Sequence, residues 1–181
     1  MYYHINYQSN IGNMVVVCDD EKKHIVGLWI EGQKYFLGTL SEEPILREGI
    51  SVLQRAADWL DAYFAGKKPD IKELPLAPQG GAFRQEVWKI LCEVPYGSVI
   101  TYGEIARKMA SRMGKKTMSA QAAGGAVAHN PISVIIPCHR VVGTNKSLAG
   151  YAGGIDRKIK LLKHEGVDMS EYFVPKVTTA P

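Results

Sequence analysis

The stretch Ile135–Val142, IIPCHRVV, places a thiol, Cys138, directly beside an imidazole, His139, after a rigid proline. That proline fixes its own φ at about −65° and favours an extended conformation of the residue before it. The run Ile132–Ile136 is apolar apart from one serine, so we predict a short buried strand that delivers Cys138 to a sharp turn. A cysteine attacks as its thiolate, which an adjacent base can generate. The alternative is that Cys138 is an ordinary buried cysteine.

Short motifs on both sides of this stretch follow a fixed order. Gly124-Gly125-Ala126 and Asn130-Pro131 precede Pro137–Val141, and Tyr151-Ala152-Gly153-Gly154 follows it. Together these motifs resemble the O6-alkylguanine-DNA alkyltransferase family. The similarity runs from about residue 83 to residue 166 and is weak over the N-terminal part. The resemblance implies that Cys138 is the nucleophile.

The composition of the 181 residues is that of a globular protein of one or two small domains, with 46% hydrophobic and 22% charged residues. No apolar run approaches the roughly 18 residues of a membrane span, and the start lacks a signal-peptide pattern. We therefore expect a cytoplasmic protein with no membrane partner. The cysteines, three in number and without a C-x-x-C pair, argue against a disulfide framework. We predict no metal and no cofactor, the alternative being a metal site near Cys18 and His24.

The charge is divided unevenly along the chain. Residues 1–80 hold eight basic and eleven acidic side chains, a net charge of −3, whereas residues 81–181 hold 14 and 7, a net charge of +7. A basic half suits a polyanionic partner, although a merely solvated basic face has the same composition. The turn-rich segment 74–81 lies between the halves, so we predict two domains, 1–80 and 81–181.

The N-terminal half predicts a small α/β domain. Segments 2–8, 14–18 and 24–30 are rich in β-branched and aromatic residues and predict an antiparallel meander. From Pro44 the apolar residues recur at helical spacing as far as Phe64, and Gly66 supplies a stop. The resemblance implies a ribonuclease-H-like shape for this domain, without that activity.

The C-terminal half predicts a mainly helical domain. Helices are indicated over 83–94, from Thr101 onward, over 119–128 and over 155–166, and Thr101 with Glu104 has capping-box spacing. A basic linker with Arg112, Lys115 and Lys116 joins the second and third helices. Two helices joined in this way match a helix-turn-helix. The fold class is thus α/β (α+β), with a winged helix-turn-helix-like motif in the second domain.

The second helix of that motif is built from small residues and has one long base-reading side chain, Gln121. This favours close contact that is indifferent to sequence. The resemblance implies that the helix lies in the minor groove and that the target base is extruded. An arginine commonly fills the gap in the family, and Gln121 stands at that position. The residues predicted to contact DNA are Ser119, Gln121, Ala122, Gly125, Ala128 and Arg140, and of these Arg140 is expected to support the fold more than to touch the ligand.

The reactive residues are also assigned by the resemblance. His139 takes the proton of Cys138, directly or through a water, and Glu165 orients His139; from the sequence alone Glu165 is a routine helix-end acid. Tyr102 donates to the base and Asn130 pins the turn, the alternatives being a core aromatic and a plain Asn-Pro turn. The residues predicted to bind the base are Tyr151, as a wall, the Val141 carbonyl, the Ala152 amide and Val127.

The predicted function is direct reversal of DNA damage. Cys138 would take the alkyl group from O6-alkylguanine, with O4-alkylthymine as a second substrate, in double-stranded DNA. A thioether is a poor leaving group, so the transfer would be irreversible and would occur once per molecule. We expect a monomer with no obligate protein partner. Two other classes stay open from the residues: a lesion binder that does not react, and a thiol hydrolase using Cys138 and His139.

Overall fold

The computed structural model describes residues 1–176 of the chain, which separates into two units. Unit 1 comprises Met1–Gly80 with Pro131–Ile135, and unit 2 comprises Gly81–Asn130 with Ile136–Pro181. The prediction placed all of 81–181 in one domain, and the excursion Pro131–Ile135 corrects it. The end of that predicted domain, residues 177–181, lies outside the described residues.

The sheet of unit 1 contains the predicted meander. Its strands are β1 (Tyr3–Ser9), β2 (Gly12–Cys18), β3 (Ile25–Ile30) and β4 (Ile45–Leu46), in the order β3-β2-β1-β4. β1, β2 and β3 pair antiparallel, as predicted, and β4 pairs parallel to β1. Within unit 1 the segment Pro131–Ile135 adds to the β3 edge, because the Leu28 amide donates to the Pro131 carbonyl and the Ser133 amide donates to the Leu28 carbonyl.

The predicted helix start at Pro44 is wrong. Ile45 and Leu46 form β4, since the Ile45 amide donates to the Tyr2 carbonyl and extends the sheet. The helix α1 (Ser51–Phe64) begins five residues later and ends before Gly66, whose φ of 82° is left-handed. Apolar spacing alone could not separate a two-residue strand from the helix that follows it.

The core of unit 1 contains a cluster of Val15, Val17, Val26 and Trp29. The Trp29 ring is 1% exposed and lies over Gly27, where an added Cβ would be 1.9 Å from the ring. Gly27 is therefore the position that lets the indole lie flat on the strand.

Unit 2 is mainly helical, with α2 (Ala82–Cys92), α3 (Tyr102–Arg112), α4 (Ala120–Ala128) and α5 (Ile155–His164). The predicted capping box is present at the start of α3, with reciprocal hydrogen bonds between Thr101 and Glu104. α3 and α4 pack together, and the Trp88 indole of α2 donates to the Ala126 carbonyl of α4 at 2.9 Å. The mixed α/β fold with a helix-turn-helix is thus confirmed.

A two-strand ladder in unit 2 joins distant parts of the sequence. β5 (Ile100–Thr101) pairs parallel with β6 (Val141–Val142). β5 runs directly into α3, and β6 directly follows a 3-10 turn, Cys138–Arg140. The pairing therefore brings the start of α3 beside the reactive stretch.

The predicted strand over Ile132–Ile136 is wrong, although every residue in it is buried. A single bridge at Ile132 is followed by turns, and Val134 has a φ of 70°. The Ile135 amide donates to the Ser133 carbonyl, so the chain folds back on itself within two residues. An apolar run indicates that a segment is buried. A strand also requires backbone hydrogen-bond partners along the whole segment, and only Ile132 has a bridge partner here.

None of the helices within residues 1–176 is long and apolar enough to cross a membrane.

We predict that Gly27→Ala lowers the free energy of unfolding by about 1–3 kcal/mol, because the new methyl group displaces the Trp29 ring from a packed core. Equilibrium urea unfolding measures the change. As a control, Gly125→Ala places its Cβ in open space and should be neutral or stabilise by up to about 1 kcal/mol, since alanine is the better helix former. Equal stability of Gly27→Ala and the parent would contradict this account.

Candidate active site

Cys138 begins the 3-10 turn and lies at the wall of a pocket in unit 2. The thiol-bearing residue is 5% exposed, and the pocket has a free volume of only about 10 Å³. A volume of this size holds about one water molecule and no purine. The pocket lining consists of Tyr102, Val127, Ala128, Cys138, Gly150, Tyr151 and Ala152.

The Cys138 thiol is protonated at rest. Burial raises its pKa, against the opposing effects of a hydrogen bond with Asn130, the positive charge of Lys158 and nearby backbone amides. The sulfur therefore needs a base at the moment of reaction, and it already has groups that favour its charged form.

His139, the next residue in the chain, is fully buried. Its Nε2 lies 2.5 Å from Oε2 of Glu165. Burial lowers the pKa of His139, although the carboxylate opposes the shift, so we assign a neutral ring. A carboxylate only accepts, so Nε2 carries the proton and Nδ1 carries the lone pair. Nδ1 has no hydrogen-bond partner within residues 1–176 and is free to accept a proton.

Glu165 is the centre of a buried ionic cluster. It accepts from His139, from the Gly97 amide at 3.2 Å and from Arg140, whose Nε lies 2.7 Å from Oε1. Burial alone would raise its pKa, but the hydrogen bonds and charges of His139 and Arg140 hold it well below the usual range. Glu165 is thus ionised throughout the physiological range.

Arg140 lies inside unit 2, which agrees with its expected support of the fold and corrects its place among the predicted DNA contacts. Its side chain is 11% exposed, donates to Glu165 and donates to the Val94 carbonyl at 2.6 Å. Its guanidinium neutralises Glu165 inside unit 2.

Tyr102 and Asn130 both reach the pocket region through their elements. The Tyr102 hydroxyl, predicted to donate to a base, donates here to the Ala149 and Gly150 carbonyls, at 3.0 and 3.2 Å. Burial raises the pKa of Tyr102, so it stays a donor. Asn130 follows α4 and donates to the Ile136 carbonyl at 2.9 Å. Its side chain therefore bridges the two ends of the turn segment 130–136, just before Cys138.

The residues predicted to bind the base divide into three that line the pocket and one that does not. Val127, Tyr151 and Ala152 line it with Cys138, whereas Val141 is absent from the lining. The Tyr151 hydroxyl is buried without a partner within residues 1–176. The Val141 carbonyl accepts from Lys158, and its second lone pair is available to another donor.

Lys158 is a site residue that the sequence analysis did not assign. Its side chain is fully buried, and its Nζ donates to the Val141 and Gly150 carbonyls. Burial lowers its pKa to about 8, against the influence of Cys138. No carboxylate pairs with it within residues 1–176. The signal was helical spacing, since Lys158, Leu161 and Leu162 share the buried face of α5.

The residues predicted to contact DNA lie mostly on the surface of α4. Ser119, Gln121 and Ala122 are exposed, and the Ser119 hydroxyl caps the helix by accepting from the Gln121 and Ala122 amides. Gly125 is partly exposed, and a Cβ there would meet nothing within 4 Å. Ala128 is partly exposed and also lines the pocket. α4 therefore runs from an open surface to the reactive pocket.

Family models cover nearly the whole chain. Residues 1–78 match the 6-O-methylguanine DNA methyltransferase ribonuclease-like domain, and residues 82–167 match the DNA binding domain of the same family. A methylated-DNA--protein-cysteine methyltransferase from Methanosarcina barkeri is 39% identical over 177 residues, covering 91% of this chain and 97% of that protein.

Solved structures give the same result. The crystal structure of the Mycobacterium tuberculosis O6-methylguanine methyltransferase has a TM-score of 0.75 at 35% identity, covering 91% of this chain and 93% of that chain. The Mycobacterium tuberculosis OGT in complex with DNA has a TM-score of 0.74 at 36% identity, covering 91% of both chains.

We predict that Glu165→Gln lowers the free energy of unfolding by about 3–5 kcal/mol at pH 7, because it leaves Arg140 buried without its counter-charge. The folded-state pKa of Glu165 lies below its ordinary value of 4.5. Its stabilising effect is therefore complete above that pH and is lost as the pH falls. Denaturant unfolding at pH 7 and at pH 4 should show the difference between parent and variant shrinking in acid.

The control for this prediction is Glu93→Gln. Glu93 pairs with Arg112 at 2.6 Å, but its side chain is 52% exposed. An exposed pair of this kind contributes at most about 1 kcal/mol. A loss for Glu165→Gln no larger than for Glu93→Gln would show that the buried cluster is not a main source of stability.

Proposed function

The chain belongs to the 6-O-methylguanine DNA methyltransferase family, and on this basis we propose that it repairs alkylated DNA by transferring the alkyl group from O6-alkylguanine to Sγ of Cys138. The observation that carries the proposal is that Cys138 lines a pocket and is followed in the chain by a buried histidine whose Nε2 is held by an ionised glutamate. O4-alkylthymine presents the same bond to the sulfur and is proposed as a second substrate.

The transfer is a displacement at saturated carbon. Cys138 gives its proton to Nδ1 of His139, directly or through a water, and the resulting imidazolium is stabilised by Glu165. The thiolate attacks the alkyl carbon, a C–S bond forms, and the C–O bond breaks with its electron pair going to the guanine oxygen. The guanine regains a proton as it leaves, and a hydrogen bond from Tyr102 reduces its charge.

Substrate entry requires the pocket to enlarge. A free volume of about 10 Å³ cannot admit a purine, so the bound base has to displace part of the lining. The Tyr102 hydroxyl would exchange the Ala149 and Gly150 carbonyls for the base. The Ala152 amide would then face the guanine oxygen, the Val141 carbonyl would accept from the exocyclic amine, and Tyr151 would form the wall.

A base inside a duplex cannot reach this sulfur, so we propose that it is flipped out from the minor groove. The exposed residues of α4 fit such a contact, because Ala122 and Gly125 allow close approach of the helix backbone. The net charge of +7 over residues 81–181 favours association with the phosphate backbone. Gln121 is exposed in the first turn of α4 and would occupy the gap left in the stack.

The reaction would occur once per molecule. A thioether does not leave readily, and removal of the alkyl group would require a second thiol or an activated water. Within residues 1–176 the other two cysteines do not line the pocket. We therefore propose irreversible, stoichiometric transfer, with alkylated duplex DNA as the partner.

Duplex DNA carrying labelled O6-methylguanine should transfer its label to Cys138, with at most one label per protein molecule. Mass spectrometry of the digested protein locates the modified residue. Cys138→Ala should abolish transfer and retain DNA binding, whereas Cys92→Ala, which changes a cysteine outside the pocket, should react like the parent. Binding without transfer by the intact, reduced parent would assign the chain instead to lesion-binding proteins.

Gln121→Arg should tighten binding to duplex DNA on the order of tenfold at low salt, because it adds a cation at the proposed point of insertion. Fluorescence anisotropy over a range of salt concentrations, with single-turnover rates, measures the effect. Gln54→Arg adds the same charge to α1 of unit 1 and should leave both quantities unchanged. If Gln121→Arg also changes neither, the wedge assignment is wrong.

A further inference from the structure

The segment that follows α5, residues 168–173, has no part in the proposed reaction and lies beyond the family match, which ends at residue 167. We infer that this segment, the C-terminal strap, limits how far the pocket loop, residues 143–152, can open, and thereby limits the size of the alkyl group that Cys138 accepts. The effect on alkyl-group size rests on the proposed function, whereas the restraint of the loop rests on contacts within unit 2.

The strap is hydrogen-bonded to the pocket loop through its backbone. The Phe173 amide donates to the Lys146 carbonyl at 3.2 Å, and the Leu148 amide donates to the Phe173 carbonyl at 2.8 Å. The Lys146 ammonium pairs with Glu171 and lies 5.9 Å from the centroid of the Tyr172 ring. Backbone hydrogen bonds thus hold Lys146 and Leu148, and side-chain contacts hold Lys146 a second time.

Apolar packing also holds the pocket loop at Leu148. Leu148 is 2% exposed and packs with Val142 and Leu162 in a buried cluster. Met169 and Tyr172 of the strap pack against this cluster. Moving Leu148 outward would therefore expose apolar surface on both the loop and the strap.

The backbone of the loop indicates that it is held by its neighbours. Asn145 and Lys146 have φ values of 58° and 61°, which non-glycine residues adopt rarely and keep only where surrounding contacts fix them. The Gly143 amide closes the turn by donating to the Ser147 carbonyl at 2.7 Å. For Lys146 the surrounding contacts are those of the strap.

The inner part of the loop is held in a different way. Its carbonyls, those of Ala149 and Gly150, accept from side chains, the Tyr102 hydroxyl and the Lys158 ammonium. Side-chain donors can exchange partners without breaking a ladder, and Gly150 and Gly154 have left-handed φ values of 71° and 92°. The inner part can therefore move while the outer part stays fixed.

Leu148 therefore limits how far the inner part of the loop can move, because it directly precedes Ala149, whose carbonyl has to give up its bond from Tyr102. The closed pocket of about 10 Å³ has to grow by the volume of a base and its alkyl group. A strap that fixes Leu148 permits a limited opening, which suits small alkyl groups better than bulky ones. Releasing it should expose Cys138 more often and relax the size limit.

The test compares two proline variants in the full chain. Phe173→Pro removes the amide that donates to Lys146, whereas Val174→Pro removes an amide that has no acceptor within residues 1–176. Iodoacetamide modification of Cys138, followed by peptide mass spectrometry without DNA, reports how often the pocket opens. We expect about a tenfold faster reaction for Phe173→Pro, the order expected from losing backbone hydrogen bonds, and the parent rate for Val174→Pro.

A second measurement tests the consequence for substrates. The ratio of transfer rates for O6-benzylguanine and O6-methylguanine in duplex DNA should rise in Phe173→Pro and stay at the parent value in Val174→Pro. Glu171→Gln, which removes only the ion pair with Lys146, should shift both readouts in the same direction by a smaller factor. This variant keeps the test valid if Phe173→Pro proves poorly folded by circular dichroism.

The outcomes separate the strap from the proposed function. Unchanged thiol modification and an unchanged substrate ratio in Phe173→Pro and Glu171→Gln would overturn the inference, as would equal acceleration in Val174→Pro, which would indicate general loosening. Failure of the parent to transfer any alkyl group would refute the function alone, because the thiol reaction measures opening of the loop without a substrate.

Discussion

The buried carboxylate of Glu165 is the constraint on which the reactive region depends. Its oxygens accept hydrogen bonds from the backbone amide of Gly97, in the turn that follows α2, and from the side chains of His139 and Arg140. An ionised group in such a place is tolerable only with this degree of pairing. The same pairing fixes the histidine tautomer, so the arrangement that keeps the fold together also leaves Nδ1 ready to receive a proton.

The sequence predicted what depends on local chemistry. The capping box at Thr101 and the small-residue helix α4 follow from hydrogen bonding and side-chain size within a few residues. The thiol beside an imidazole was visible for the same reason. The family motifs added the pairing with Glu165, which no local rule could supply across 26 positions of the chain.

The errors arose where tertiary packing overrides local character. Arg140 was included among the DNA contacts and Lys158 was given no role, yet both are buried because carboxylate or carbonyl oxygens accept from them. The apolar run before Cys138 is buried as predicted, but turns satisfy its backbone instead of a ladder. Side-chain polarity therefore predicted the burial of the apolar run correctly, but it did not indicate the burial of the two charged residues.

The closed resting pocket also protects the sulfur from oxidation. Peroxides attack exposed thiolates, and Cys138 at rest is neither exposed nor ionised. If each molecule reacts once, as proposed, a Cys138 sulfur lost to an oxidant is a molecule lost to repair. Burial of the thiol should therefore keep the unreacted protein reduced for longer in the presence of reactive oxygen. The same burial means that the pocket has to open before the sulfur can meet its substrate.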